Sequence, residues 1–129
     1  MKVLDATFLV DYLEGVDAAT AYLQEHSTER FVIPAPAFAE VLIGEGNGPS
    51  ESDIGGARWA LEWGEVYGVD ERTAVTAAEI ADEIGPQGPY LAGMDGVIAA
   101  VGRELDATVV SAEGDLTHPE TQAVVDIEE

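Results

Sequence analysis

Short apolar runs alternate with stretches in which apolar residues recur at helical spacing, a pattern of strands separated by helices. Lys2 to Leu4 form a short apolar segment ending at Asp5, and Phe8, Leu9, Tyr12 and Leu13 then recur every three or four residues as far as Gly15. This predicts a strand followed by a helix. A second helix is predicted over Asp17 to Glu25, with Ala19, Tyr22 and Leu23 on one face. Phe31 to Ile33 read as a strand stopped by Pro34, and Ala35 to Ile43 as a helix ended by Gly44. Residues 44–52, GEGNGPSES, predict a loop.

In the second half, Trp59, Trp63, Val66 and Tyr67 have the spacing of an amphipathic helix, and Gly64 and Gly68 leave open whether Glu65 to Val69 is a strand instead. The two tryptophans are expected in the core or in an interface. Ala77, Ile80, Ala81 and Ile84 predict another helix, closed by Gly85 and Pro86. There follow a helix over Asp95 to Leu105, a strand over Thr108 to Ser111, a turn at Glu113-Gly114-Asp115 and a last strand over Ala123 to Ile127. Alternating strands and helices predict an α/β fold in one domain spanning 1–129, with a mainly parallel sheet covered on both faces. In such sheets ligands bind beyond the carboxyl ends of the strands.

Charge changes the picture. The 129 residues carry 26 acids against 5 Lys plus Arg, a formal charge of −21, with 47% hydrophobic residues and no cysteine. The apolar content is enough to build a core, which excludes an acidic disordered tail. Without cysteine there is no disulfide scaffold, thiol nucleophile or cysteine-based zinc site. Lys2 is the only lysine, and the acids are spread over almost every segment. Self-repulsion of this kind is largely erased at 1 M salt, where the Debye length is about 3 Å, so the composition suggests a molar-salt cytoplasm of the extreme-halophile type. No run approaches the about 18 apolar residues that span a bilayer, and an acid arrives too early for a signal peptide, so a cytoplasmic location without membrane association is expected.

Several chemistries lack their residues. There is no GxxxxGK[ST] loop, no GxGxxG register and no GxSxG elbow, and His26 and His118, the two imidazoles, sit in polar surroundings. Carboxylates remain. Asp5 closes the first strand with Thr7 two residues on, Asp95 opens a helix, and Asp115 follows the strand ending at Ser111, so all three are expected at one sheet edge. Asp5 and Asp95 also suit helix N-caps, and Asp115 suits a turn. Glu40 is the only ionisable residue between Arg30 and Glu45 and is expected on an apolar helix surface, where a carboxylate needs a compensating cation. Clustered carboxylates without His or Cys are hard oxygen ligands suited to Mg²⁺ or Mn²⁺. With acids at about one position in five, however, acid positions alone cannot decide the matter.

The flanking residues carry more. VLDATFLVDYL (3–13) resembles the opening motif of PIN-domain ribonucleases, an Asp ending the first strand with Ser or Thr two places later. FVIPAPAFAEVLIG (31–44) is similar to their second motif, a strand and a helix whose Glu precedes apolar residues. MDGVIAAVGRELDATVVSAEGDL (94–116) resembles the third and fourth motifs run together. Order, spacing and length look like a VapC-type toxin, the nuclease half of a toxin–antitoxin pair, from Val3 to Leu116; residues 44–71 match only in general character.

The resemblance implies a PIN-like three-layer fold and a metal-dependent endoribonuclease in which a Mg²⁺- or Mn²⁺-activated water attacks an RNA phosphodiester. It makes Asp5, Glu40 and Asp95 the core metal ligands and Thr7 a supporting hydroxyl. Asp115 takes the fourth acid position, with Ser111 beside it and Glu113 as the alternative. Arg103, on the Asp95 helix, is the candidate phosphate contact. A homodimer and a cognate antitoxin are the implied partners. A PIN fold that has lost catalysis and only binds, or a metal-dependent phosphatase on small esters, are the alternatives.

Overall fold

The computed structural model describes residues 1–49 and 51–129. Five strands, β1 (Lys2–Leu4), β2 (Phe31–Pro34), β3 (Glu65–Tyr67), β4 (Thr108–Val110) and β5 (Ile127–Glu128), form one sheet in the order β3-β2-β1-β4-β5. Every pairing is parallel, with Val3 opposite Val32 on one side and Val109 on the other. The central strand is sealed: Val3 and Leu4 are fully buried, as a parallel sheet covered on both faces requires.

Among the described residues, eight helices connect the strands: α1 (Ala6–Leu13), α2 (Asp17–Glu25), α3 (Ala35–Gly46), α4 (Ile54–Ala60), α5 (Glu71–Ile84), α6 (Gly93–Leu105), α7 (Gly114–Thr117) and α8 (Pro119–Gln122). The chain first steps outward from β1 to β3, then jumps back across β1 to β4. Right-handed crossovers therefore place α1 to α4 on one face and the α5–α6 pair on the other. The packing of α1 on α2 and α3, of α3 on α4, and of α5 on α6 agrees with this. The reversal leaves a switch point at the carboxyl ends of β1 and β4, where ligands bind in sheets of this kind.

Local chemistry sets several element ends. Asp70 and Thr73 form a reciprocal capping box that starts α5 at Glu71, a turn and a half before the apolar repeat beginning at Ala77 becomes visible in the sequence. Gly102 lets α6 sit directly on β4, because a Cβ there would lie 2.5 Å from Val109 Cγ2.

The structure corrects the predicted elements in four places. The loop expected over 44–52 begins later, since α3 continues to Gly46; Ser50 lies outside the described residues. The helix expected through Trp59 to Tyr67 ends at Ala60, turns through Leu61 to Gly64 and becomes β3, because Glu65 to Tyr67 pair with Val32 to Pro34. Trp59 is accordingly 73% exposed and not in the core, whereas Trp63 packs edge-on against Tyr12 and Phe31. The turn at 113–115 opens α7, and most of the strand expected over Ala123 to Ile127 is instead the turn that follows α8 and leads into β5, which begins only at Ile127. Pro119 is suited to the first turn of α8, and the Thr121 hydroxyl ties that helix to the Asp115 carbonyl at 2.7 Å.

Candidate active site

Asp5 stands immediately after β1 with extended backbone and serves as the N-cap of α1. Its Oδ1 accepts from the Phe8 N–H at 3.0 Å and the Thr7 hydroxyl at 2.7 Å, and its Oδ2 accepts from the Ser111 hydroxyl at the end of β4. The side chain is 4% exposed and carries three donors, which is how a buried carboxylate is held in place. Asp5 is therefore the cap the sequence allowed and also a wall of the neighbouring cleft.

Beside Asp5 lies a cleft of about 100 Å³ lined by Asp5, Thr7, Glu40, Asp95 and Glu113, with Met94 and Ile98 among its apolar walls. Among the described residues, no Lys, Arg or His lines it. Four sequence-distant carboxylates thus share one cleft at the switch point. Asp95 is half-buried in the first turn of α6, whose N-cap is Ala92, so Asp95 is not the helix cap the sequence allowed. Its carboxyl pKa is raised above the ordinary aspartate value, first by burial and then by the negative charges of Glu113, Asp115, Asp5 and Glu40. Glu40 projects from α3 as an exposed side chain, so it does not carry the burial cost expected of it: the nearby Ile43 is itself 61% exposed.

The fourth acid position divides. Glu113, the N-cap residue of α7, lines the cleft, and its N–H donates to the Ser111 hydroxyl at 3.0 Å. Asp115, exposed in the first turn of α7, is not among the lining residues and reaches the site through its charge on Asp95. Arg103 is not brought to the cleft. At the far end of α6 from Asp95 it pairs with Glu83 at 2.5 Å and donates to the Val124 carbonyl at 2.8 Å. The two histidines lie elsewhere: the His26 ring stacks on Tyr22 and His118 caps α8.

The donor set has the chemistry of a hard divalent cation site: carboxylate oxygens and the Thr7 hydroxyl, no counter-cation among the described residues, and one acid whose ionised form is opposed by its neighbours. Among the described residues, no group of three is already drawn together closely enough to cage an ion.

The family model of the PIN domain matches residues 2–120. The chain belongs to the PIN domain family. Among solved structures, FitAcB from Neisseria gonorrhoeae is similar with a TM-score of 0.81 and 21% identity, covering 100% of this chain and 97% of that one. A toxin-antitoxin complex from Klebsiella pneumoniae superposes with a TM-score of 0.76 at 16% identity, covering 100% and 97%. VapBC2 from Rickettsia felis, bound to a DNA fragment from its promoter, gives 0.77 at 16% identity over 98% and 96%. No curated protein matches. At these identities the likeness establishes the PIN fold, whose five-stranded parallel sheet and flanking helices agree with the architecture expected from the sequence. No helix among the described residues is long and apolar enough to cross a membrane.

Sequence reasoning named all the carboxylates but ranked Asp115 above Glu113. What it lacked was the path of the chain after β4: the Ser111 hydroxyl bonds the Glu113 amide, which fixes where the Glu113 side chain begins.

Proposed function

We propose that this PIN-domain protein is a metal-dependent endoribonuclease and the toxin of a toxin–antitoxin pair. The observation that carries the reading is the convergence of Asp5, Glu40, Asp95 and Glu113 on one cleft at the sheet's switch point. Asp5, Asp95 and Glu40 would hold Mg²⁺ or Mn²⁺, with Glu113 in reach and Asp115 behind it. A bound divalent ion lowers the pKa of a water and neutralises charge at a phosphodiester. Asp5, fixed by three donors, supplies the rigid side of the site. Glu40, exposed at the rim, is placed to accept a proton from an attacking water or to complete the ligand set. Met94 and Ile98 give the cleft apolar walls. With no cation among the described residues that line the cleft, phosphate affinity rests on the metal more than on Lys and Arg, so binding to RNA should be modest.

The partners follow from the same reading: an antitoxin protein, as in the toxin-antitoxin and VapBC complexes this chain resembles in fold, and a second copy of the chain.

The test is incubation of the purified protein with mixed RNA in molar KCl, with Mg²⁺, Mn²⁺ or chelator, beside Glu40→Gln and Asp95→Asn. Cleavage that requires the divalent ion and is lost in both variants is the expected result. Cleavage at the parental rate in either variant removes that residue from the site. Hydrolysis of small monoesters with RNA left intact replaces the nuclease with a phosphatase, and metal binding without hydrolysis of either leaves a binding protein.

A further inference from the structure

Two-ion sites for phosphodiester chemistry hold their metals about 3.5–4 Å apart, and a carboxylate that bridges them gives an oxygen lone pair to each. An ionised carboxylate has about four lone-pair positions. The number left open on the bridging acid therefore limits how many ions the cleft can share. Asp5 is the acid in the middle. It closes the central strand, while Glu40 enters from the β2 side and Glu113 from the β4 side. Asp95, on α6, feels the charges of Glu113 and Asp115 ahead of those of Asp5 and Glu40, which puts it on the Glu113 side. Two ions spread along the cleft would need Asp5 as their bridge.

Three lone-pair positions of Asp5 are already taken. Oδ1 accepts from both the Thr7 hydroxyl at 2.7 Å and the Phe8 N–H at 3.0 Å, and Oδ2 accepts from the Ser111 hydroxyl. One position remains, on Oδ2. The Phe8 N–H lies in the first turn of α1, where no helical acceptor competes for it. The Ser111 hydroxyl is itself held by the Glu113 N–H at 3.0 Å. Phe8 and Ser111 line a neighbouring cavity of about 250 Å³ on the α2 side and not the carboxylate cleft, so they hold Asp5 from behind. Of the three donor residues, Thr7 is the one that lines the cleft, and it is exposed. Its hydroxyl occupies the lone pair that a second ion would have to reach.

We infer that the cleft takes a single divalent ion, bound end-on by Oδ2 of Asp5, and that Thr7 is the positioning residue that keeps a second ion out by occupying Oδ1. The inference rests on the metal-dependent reading above and deepens it by giving the number of ions. Displacing Thr7 from Oδ1 would cost a hydrogen bond to a buried carboxylate, which opposes the second ion even when the first is in place.

The experiment counts Mn²⁺ bound to the full chain in molar KCl by electron paramagnetic resonance. Molar salt suppresses loose binding to the acidic surface, and the double variant Glu40→Gln, Asp95→Asn, which lacks two acids of the cleft, gives the remaining background. Above that background the parent should bind one ion, with a spectrum free of exchange coupling at saturation. Thr7→Val replaces the hydroxyl by a methyl group at an exposed position and opens Oδ1. It should bind two ions, with the exchange-coupled signal of neighbouring Mn²⁺. Thr7→Ser, which keeps the hydroxyl, should return the count to one. Two coupled ions in the parent overturn the inference and leave the nuclease reading intact. One uncoupled ion in Thr7→Val overturns the role given to Thr7. One ion in the parent without cleavage of RNA sinks the nuclease reading and leaves the count standing, and no bound ion in the parent sinks both.

Discussion

The hydroxyl of Ser111 donates to Oδ2 of Asp5 across 106 positions of sequence, joining the ends of the two central strands β4 and β1. The same hydroxyl accepts from the Glu113 N–H at 3.0 Å, so one side chain sets both the rigid acid of the cleft and the starting point of a second one. Removing it leaves a buried carboxylate oxygen short of a donor. Ser111→Ala should therefore cost about 1.5–3 kcal/mol in urea unfolding and about 10–100-fold in RNA cleavage through misplaced ligands. Ser111→Thr, which keeps the hydroxyl, should recover most of both. Unchanged stability in Ser111→Ala would show that the bond carries no weight.

Asp95 sets a stability-versus-pH relation of known sign. Its folded pKa lies above the unfolded value of 3.8, because burial and four neighbouring acids oppose its charge. In the window above 3.8 the folded state binds more protons than the unfolded one, so stability falls as pH rises through the raised folded pKa. At neutral pH in chelator, Asp95→Asn should melt at a higher temperature than the parent while losing cleavage by about two orders of magnitude. Added Mn²⁺ should raise the melting temperature of the parent and not of the variant. A variant that melts lower than the parent in chelator contradicts the electrostatic account.

Glu113 and Asp115 can be separated directly. Glu113 lines the cleft and Asp115 does not, so Glu113→Gln should reduce cleavage about 10–100-fold and Asp115→Asn only a few-fold. The reverse order in single-turnover rates would restore Asp115 as the fourth acid.

Gly102 carries a packing prediction away from the site. A methyl group there meets Val109 Cγ2 at 2.5 Å and the Ala107 carbonyl at 3.3 Å, so Gly102→Ala should destabilise by about 1–3 kcal/mol in urea. Cleavage per folded molecule should stay at the parental level, since Asp95 lies on an earlier turn of α6.

The formal charge of −21 predicts salt-dependent folding. Raising KCl from 0.1 to 1 M shortens the Debye length from about 10 to about 3 Å, and the melting temperature should rise by about 5–10 °C or more, equivalent to one or two kcal/mol. Differential scanning calorimetry across that range checks it, and a flat response would dissociate the acidity from any adaptation to salt.

The sequence by itself determined the α/β alternation and the central strands at Val3, Val32 and Val109, because hydrophobic period is a local property, and its flanking motifs singled out Asp5, Glu40 and Asp95, which line one cleft. It did not determine where the helix after Ile54 stops, since Trp63, Val66 and Tyr67 fit a helical repeat until β2 offers its edge to Glu65 to Tyr67. Nor could it show that Glu40 is exposed, that Arg103 is occupied by Glu83 and Val124, or that Glu113 displaces Asp115 at the cleft. Each of those depends on a partner far away in sequence, and only the reversal of strand order at β1 and β4 decides which partners meet.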